Sequence, residues 1–504
     1  MTTFLIRADS NGKIGTGHVM RMLGLGQYWL DMGGKVIFVS HCESCGLRQL
    51  IAESVIKLID VETSSSNAEA MDLLLAEAGN AMSEDPDFFP WVVMDGYGFT
   101  AEDQKVVKDR GYLLLFVDDF GHASHYYADI VLNQNLSADE SFYSSRERHT
   151  DLLLGVGYAV LRKEFRNLTG WKRVIPPMAK KILVTLGGAD SDNVTERIIL
   201  SLDRIGVPGI EARVLRGPAN PHIDRLTTVA GSIRTPCKIV TQADMPAELK
   251  WADMAIVAGG TTCMEVAFLG LPAMTVVLAD NQFEVARKLA SRGVTVNLGW
   301  HHKLSEADLA RQIKALILNA DLRMNCSAAG QKLVDGHGVK RITRRIMAHS
   351  IRIRPVTAGD CELIWEWAND PQTRAASFNT EPIPLHEHVK WFTNRLNRTD
   401  VKFYVAVTNR GVPLGQARFE PDSGNTVISV LLAPAFRGRG LGSVLIDQVC
   451  RQFRHDSSVS TIKAYIKPEN QSSRRAFTGA GFSEMGMTEK KGRQAVEMEY
   501  SMVA

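Results

Sequence analysis

The sequence of 504 residues lacks an excess of charge of either sign: 58 basic residues meet 56 acidic ones, a net charge of +2. That excludes the long-range field that would draw the chain to nucleic acid or to an anionic membrane. An anionic ligand must be held locally, by a few arginines, loop amides and helix N-termini. No run of about 18 or more apolar residues occurs, so no membrane span is expected. The opening stretch MTTFLIRADSNGKIG has no basic region leading into a long apolar core. It reads as a first strand rather than a secretion signal. Seven scattered cysteines, an odd number, make no disulfide framework. They fit a reducing compartment, a cytoplasm of bacterial type. Cys42 and Cys45 lack a second pair at zinc spacing; two ordinary thiols are one reading, metal or redox use the other. No metal is expected.

What is present is ordinary for a globular chain, 45% apolar and 23% charged. The length predicts roughly two to four domains. Short Val/Ile/Leu runs alternate with amphipathic helical runs in two successive segments. Strands are expected at Phe4–Arg7, Val36–Ser40, Trp91–Met94, Leu113–Val117 and Ile130–Asn133, then at Ile182–Leu186, Glu211–Leu215, Lys238–Thr241, Met254–Val257 and Ala273–Val277. Such runs predict parallel sheets covered by helices on both faces. The expectation is an α/β protein with two doubly wound Rossmann-like domains, residues 1–170 and 171–345, and ligands at the carboxyl ends of the strands. Gly338–His349 reads as a basic helix and linker. From residue 346 the pattern becomes α+β: a strand at Ile351–Pro355, Trp-bearing helices, strands around Phe403–Thr408, Pro413–Phe419 and Thr426–Leu432, a helix, a strand at Ile462–Ile466 and a last helix.

In the third domain, ISVLLAPAFRGRGLGS (428–443) runs a strand into a glycine-rich loop and then a helix. Glycines let backbone N–H groups approach a pyrophosphate, and the helix dipole favours its charge. A generic turn would look similar. A second segment, PENQSSRRAFTGAGF (468–482), follows the next strand. Together the two resemble the acetyl-CoA-binding motifs of the GNAT N-acetyltransferase superfamily. The resemblance implies acetyl-CoA contacts from Leu431, Leu432, Arg437, Gly438, Arg439, Gly440, Leu441, Gly442, Ser443, Asn470, Ser473 and Phe477. It also implies splayed strands, with a backbone amide near Leu431 or Leu432 polarising the thioester carbonyl. Trp365, Trp367, Asn369, Pro371, His388, Trp391 and Phe392 resemble the branch that acetylates ribosomal proteins and sugar amines; core packing is the other reading of the tryptophans. Phe477 departs from the superfamily, many of whose members have a Tyr acid there; Phe has no proton to donate. Glu420, His388 or a bound water could serve as base.

In the first domain, Arg7-Ala-Asp9 leads to Gly15-Thr-Gly17-His18 and Arg21, which puts His18 at a helix N-terminus at the sheet's carboxyl end. There the helix dipole favours a neutral imidazole, able to act as a base. The segment, with Asp95-Gly-Tyr97, Asp118-Asp119, the stretch Gly155–Phe165, Leu186-Gly187-Gly188, Gly259–Glu265 and Asn281-Gln282, resembles the UDP-sugar hydrolases of pseudaminic acid biosynthesis. These are glycosyltransferase-B-like enzymes. The resemblance implies that His18 activates water at the anomeric carbon and that Asn281 positions sugar or water. Asp9 and Tyr97 are further catalytic candidates. Gly15, Gly17, Arg21, Gly187, Gly188, Thr261, Thr262 and Glu265 would hold the UDP-sugar, Glu265 at the ribose hydroxyls. Gly96 stands where that family often has a bulkier residue. The expected partners are a UDP-amino sugar and acetyl-CoA, with oligomeric state left open. A fused glycosyltransferase, a nucleotide-sugar-binding module without turnover and an acetyltransferase acting on a protein amine stay open as alternatives.

Overall fold

The computed structural model describes residues 2–11, 16–54, 56–62, 66–188, 190–217, 220–241, 243–422, 424–457 and 459–501. Contacts divide the chain into two compact units. One holds Thr3–Ala81 and Pro90–Ile342; the other holds Met82–Phe89 with the residues from Thr343 onward.

The first unit carries two parallel sheets. Strands β1 (Thr3–Ala8), β2 (Lys35–Ser40), β3 (Lys57–Asp60), β4 (Trp91–Asp95), β5 (Leu113–Val117), β6 (Ile130–Asn133) and β7 (Asp151–Leu154) pair in the order β3-β2-β1-β4-β5-β6-β7. Strands β8 (Lys181–Thr185), β9 (Glu211–Leu215), β10 (Cys237–Val240), β11 (Met254–Ala258), β12 (Ala273–Val277) and β13 (Thr295–Trp300) pair as β10-β9-β8-β11-β12-β13. Both are doubly wound Rossmann-like sheets. Their central strands are apolar runs because helices cover both faces; Phe4, Leu5, Ile6, Val92 and Val93 are fully buried. The strand order reverses between β1 and β4 and again between β8 and β11. The carboxyl ends of these pairs are where such sheets bind ligands, and the described residues of both candidate loops lie there.

The second unit is built on a mixed sheet. Strands β14 (Ile351–Pro355), β15 (Lys402–Thr408), β16 (Pro413–Asp422), β17 (Asn425–Leu432), β18 (Thr461–Ile466), β19 (Ser483–Lys490) and β20 (Arg493–Ser501) pair as β14-β15-β16-β17-β18-β20-β19. The chain after the helix Gln471–Gly479 therefore adds a hairpin that the sequence pattern did not announce. β17 and β18 are the parallel pair, and they match only at Thr426↔Ile462 and Val427↔Lys463. Beyond that point β17 stays paired with β16 as far as Leu432. The sheet is thus split along one edge of β17. In this unit Phe89 N–H donates to Asn409 Oδ1 at 3.1 Å, and the Phe88 ring stands edge-on to Phe436 at 6.0 Å.

Candidate active sites

At the first crossover, β1 leads toward the helix Gly17–Asp31 and β4 ends on Asp95. The two meet through side chains. His18 Nδ1 lies 2.7 Å from Asp95 Oδ1. Arg21, one turn along the helix, donates to both Asp95 oxygens at 2.6 Å and to Asp119 at 2.8 and 3.1 Å. Tyr97 Oη donates to Asp119 at 2.9 Å and Asn135 Nδ2 donates at 2.7 Å. Asp95 is fully buried; His18 and Arg21 are 6% exposed. Burial alone would push the Asp119 carboxyl up, but Arg21 outweighs it and holds the group well below the usual carboxylate range. Burial and Asp119 push the Tyr97 hydroxyl up, so it stays a donor.

At Nδ1 the Asp95 carboxylate (2.7 Å) is closer than Arg21 Nη2 (3.1 Å), and it assigns that nitrogen the proton and leaves Nε2 as the basic atom. Among the described residues nothing hydrogen-bonds Nε2. A carboxylate that fixes an imidazole's tautomer and stabilises its charged form is a recurrent way to build a general base. Asp95, Asp119 and Asn135 are the members of this set that sequence reasoning left without a role.

The remaining first-domain candidates fare differently. Arg21 is committed to two carboxylates and is not free for a phosphate. Asp9 pairs with Arg7 and accepts the His41 N–H at 2.7 Å, which ties the ends of β1 and β2 together. It is a structural brace rather than a group open to substrate. Gly17 has open space where a Cβ would stand. Gly15 lies outside the described residues.

At the second crossover, β8 runs into Gly187 and Gly188, and β11 into Gly259–Thr262. Gly187 has φ +86°, and added Cβ atoms on Gly188 and Gly260 would meet no atom within 4 Å. The Cβ sides of these glycines are open, as a phosphate cradle requires, while the Gly187 and Gly188 carbonyls lie against Gly217. Thr261 stands at the N-cap position of the short helix Thr262–Phe268 without a side-chain capping bond. Glu265 in that helix lies 3.3 Å from Arg162, and burial raises its carboxyl pKa against that pairing. Asn281 is exposed in the first turn of the helix Asp280–Ser291, after β12 at the same sheet end.

In the mixed-sheet unit the loop after β17 carries Gly438 (φ +74°) and Gly440 (φ +71°), both left-handed. The helix Leu441–Asp456 starts there with no acidic residue in its first turn. The N–H groups of Leu441, Gly442 and Ser443 therefore point beyond the helix end without intrahelical partners. Arg437 differs from the expectation of a phosphate-facing arginine. Its guanidinium binds Asp370 (2.6 Å), Gln372 (3.0 Å) and Thr373 (2.6 Å), and its Nε donates to Leu432 O at 3.1 Å. It pins the loop to the helix Pro371–Ala376. Arg439 lies over the Phe436 ring. Ala433 N–H donates to Leu414 O at 2.9 Å on the β16 side. By strand alternation the N–H of Leu432 faces the split edge, and that of Leu431 faces β16.

Asn470 accepts the Ser473 N–H at 3.1 Å as the N-cap of its helix. Phe477 is buried edge-on to Phe482 at 4.9 Å. Both base candidates are spoken for. Glu420 lies between Arg395 (3.1 Å) and Arg418 (2.7 Å); burial opposes its charge, yet the two cations hold its carboxyl low, a poor proton acceptor. His388 is 2% exposed, its Nε2 donates to Cys361 O at 3.1 Å, and burial lowers its pKa. It is a core histidine. Trp365 Nε1 donates to Ile383 O at 2.7 Å, and Trp367 is buried.

Comparison with known proteins finds family matches in two parts of the chain. Residues 350–483 match the acetyltransferase (GNAT) domain, and 194–341 match the glycosyltransferase family 28 C-terminal domain. Over 97% of both chains the protein is 26% identical to an uncharacterized protein of Methanocaldococcus jannaschii. It is 25% identical to the spore coat polysaccharide biosynthesis protein SpsG of Bacillus subtilis, over 67% of this chain and 96% of that one. It is 23% identical to the UDP-2,4-diacetamido-2,4,6-trideoxy-beta-L-altropyranose hydrolase of Campylobacter jejuni, over 58% of this chain and 97% of that one. The protein therefore joins a glycosyltransferase-like half, similar to that hydrolase, to a GNAT acetyltransferase domain.

Proposed function

We propose that the chain is a bifunctional enzyme of pseudaminic (nonulosonic) acid biosynthesis. Domain 346–504 acetylates the amine of a UDP-4-amino-4,6-dideoxy sugar from acetyl-CoA. Domains 1–170 and 171–345 then hydrolyse the UDP-2,4-diacetamido-2,4,6-trideoxy-hexose to UDP and free sugar, a reaction class suggested by the relative's name. The observation that carries the hydrolase reading is the His18–Asp95 pair at 2.7 Å, at the carboxyl end of a doubly wound sheet.

In hydrolysis, His18 Nε2 takes a proton from water as the water oxygen bonds to the anomeric carbon. The bond from that carbon to the phosphate oxygen breaks with inversion, and its electron pair leaves on UDP. Asp95 stabilises the imidazolium that forms. UDP is a good leaving group, so a base, a held water and a phosphate cradle suffice. Gly187, Gly188, Thr261 and Thr262 would form that cradle, with Asn281 at the sugar or water.

In acetyl transfer, the bound thioester supplies an activated carbonyl. The amides at Gly438–Ser443 would hold its pyrophosphate, and the Leu432 N–H would donate to the carbonyl oxygen as negative charge grows there. The amine nitrogen, losing its proton to water, bonds to the carbonyl carbon, the C–S bond breaks, and sulfur leaves as the CoA thiolate, which takes a proton from solvent. With Glu420 and His388 engaged elsewhere, water is the base this reading retains.

Purified protein given UDP-amino sugar and acetyl-CoA should release CoA thiol and then UDP; release of neither would sink the proposal. The glycosyltransferase family 28 match favours one rival, a transferase. UDP release that needed an acceptor sugar would select it.

A further inference from the structure

The turn after β5 is built around a fully buried carboxylate. Asp118 accepts the N–H groups of Phe120 and Gly121, both at 2.7 Å, and the Tyr126 hydroxyl at 2.5 Å. Gly121 has φ +78°, and a Cβ there would stand 2.8 Å from Phe142 Cβ. The turn is therefore fixed, and so is what it displays: a Phe120 ring that is 50% exposed.

Beside it stands Tyr97, 43% exposed, with ring centroids 5.2 Å apart. Both rings lean on His122, and Tyr97 meets His18 edge-on at 4.7 Å. Among the described residues, the polar groups beside the rings, His18 Nε2 apart, are already used. Arg21 is taken by two carboxylates, and Tyr97 Oη and Asn135 both donate to Asp119. Next to the proposed base, the chain thus presents ring surface where a sugar site more often offers free hydrogen-bonding groups. A large aromatic held half-exposed in a crevice marks a binding surface.

A fully hydroxylated sugar pressed against these rings would bury hydroxyls without partners, which is costly. A 6-deoxy, N-acetylated sugar would place methyl groups there instead. We propose that Tyr97 and Phe120 form an apolar shelf that selects the methyl-bearing face of a deoxy, N-acetylated hexose on UDP, with Phe120 as a specificity-determining residue. This rests on the reading of the His18 crevice as a UDP-sugar site.

The test uses the full chain in a His18→Asn background, which keeps a planar side chain and stops turnover. Calorimetry gives Kd values for UDP, UDP-N-acetylglucosamine, the UDP-diacetamido-trideoxy-hexose and its 4-amino precursor. Phe120→Ala should weaken the diacetamido nucleotide roughly tenfold, the worth of one or two buried methyl groups. UDP itself should be unaffected, and Phe120→Leu should restore most of the loss. Four results would overturn the shelf: no change, equal weakening of UDP-N-acetylglucosamine, larger weakening of the 4-amino precursor (a cation–π contact instead), or no binding of the diacetamido nucleotide at all. Failure of the hydrolase reading is separate: wild-type protein would release no UDP even where this Kd pattern held.

Discussion

Asp95→Asn is the most informative single change. Asp95 Oδ1 faces His18 Nδ1 and an Arg21 terminal nitrogen, and Oδ2 faces Arg21 Nε. All three partners are donors, and an asparagine amide has one acceptor and one donor edge. With the amide nitrogen toward Arg21, donor meets donor across a fully buried contact. With it toward His18, the imidazole must accept at Nδ1, so the proton moves to Nε2 and the base is lost. Either placement costs one charge-assisted buried hydrogen bond, about 2–3 kcal/mol of stability. Both remove the charge that stabilises the imidazolium. General-base assistance contributes about 10²–10⁴-fold, so kcat for UDP release should fall by that factor, about 3–5 kcal/mol of activation free energy. KM should stay within a few-fold. The assay follows UDP from the diacetamido nucleotide and, on the same sample, CoA thiol from acetyl transfer. Unchanged CoA release certifies folded protein. UDP release within threefold of wild type in such a sample would refute the role given to Asp95.

Other changes probe the second unit. Gly440→Ala forces a Cβ into the left-handed region (φ +71°), a cost of about 1–2 kcal/mol; KM for acetyl-CoA should rise roughly tenfold with UDP release unchanged. Glu420→Gln should leave CoA release within threefold at neutral pH, because its carboxylate serves Arg395 and Arg418; a loss of a hundredfold would return it to the chemistry. Asp360 is held down to about 2, chiefly by its hydrogen bonds to Arg354, against burial. A depressed carboxyl stabilises the fold above its unfolded value of about 3.9 and loses that contribution as pH falls toward 2. Arg354→Ala should therefore move acid unfolding, read by tryptophan fluorescence, to higher pH, with at most about 2 kcal/mol lost near neutrality. An unmoved acid limb would show that the pair contributes nothing.

The central strands and the glycine loops are legible in the amino-acid pattern alone. Strands of a parallel sheet buried on both faces must be apolar runs, and β1, β4, β5, β8 and β11 announce themselves that way. A glycine-rich turn between strand and helix is equally legible, because the left-handed backbone at Gly438 and Gly440 has few other solutions. The strands it missed are mostly sheet edges: β3, β7, β13 and β19 each end a sheet. An edge strand is covered less and can carry polar residues, as KLID and SEMGMTEK do, whereas DLLL is only four residues long and TVNLGW is interrupted by Asn and Gly.

Which polar side chains are free emerges only when the chain is folded. His18 and Asp95 are 77 positions apart, and Arg21 reaches Asp119 across 98. Periodicity reports which face of an element a residue occupies, not the partner that meets it there. So the pattern that offered Arg21, Arg437, Glu420 and His388 as ligands or bases could not show them engaged by neighbouring carboxylates, arginines and carbonyls. Nor could it show that Asp95, quoted in a motif without a role, is the group that sets the proton on His18.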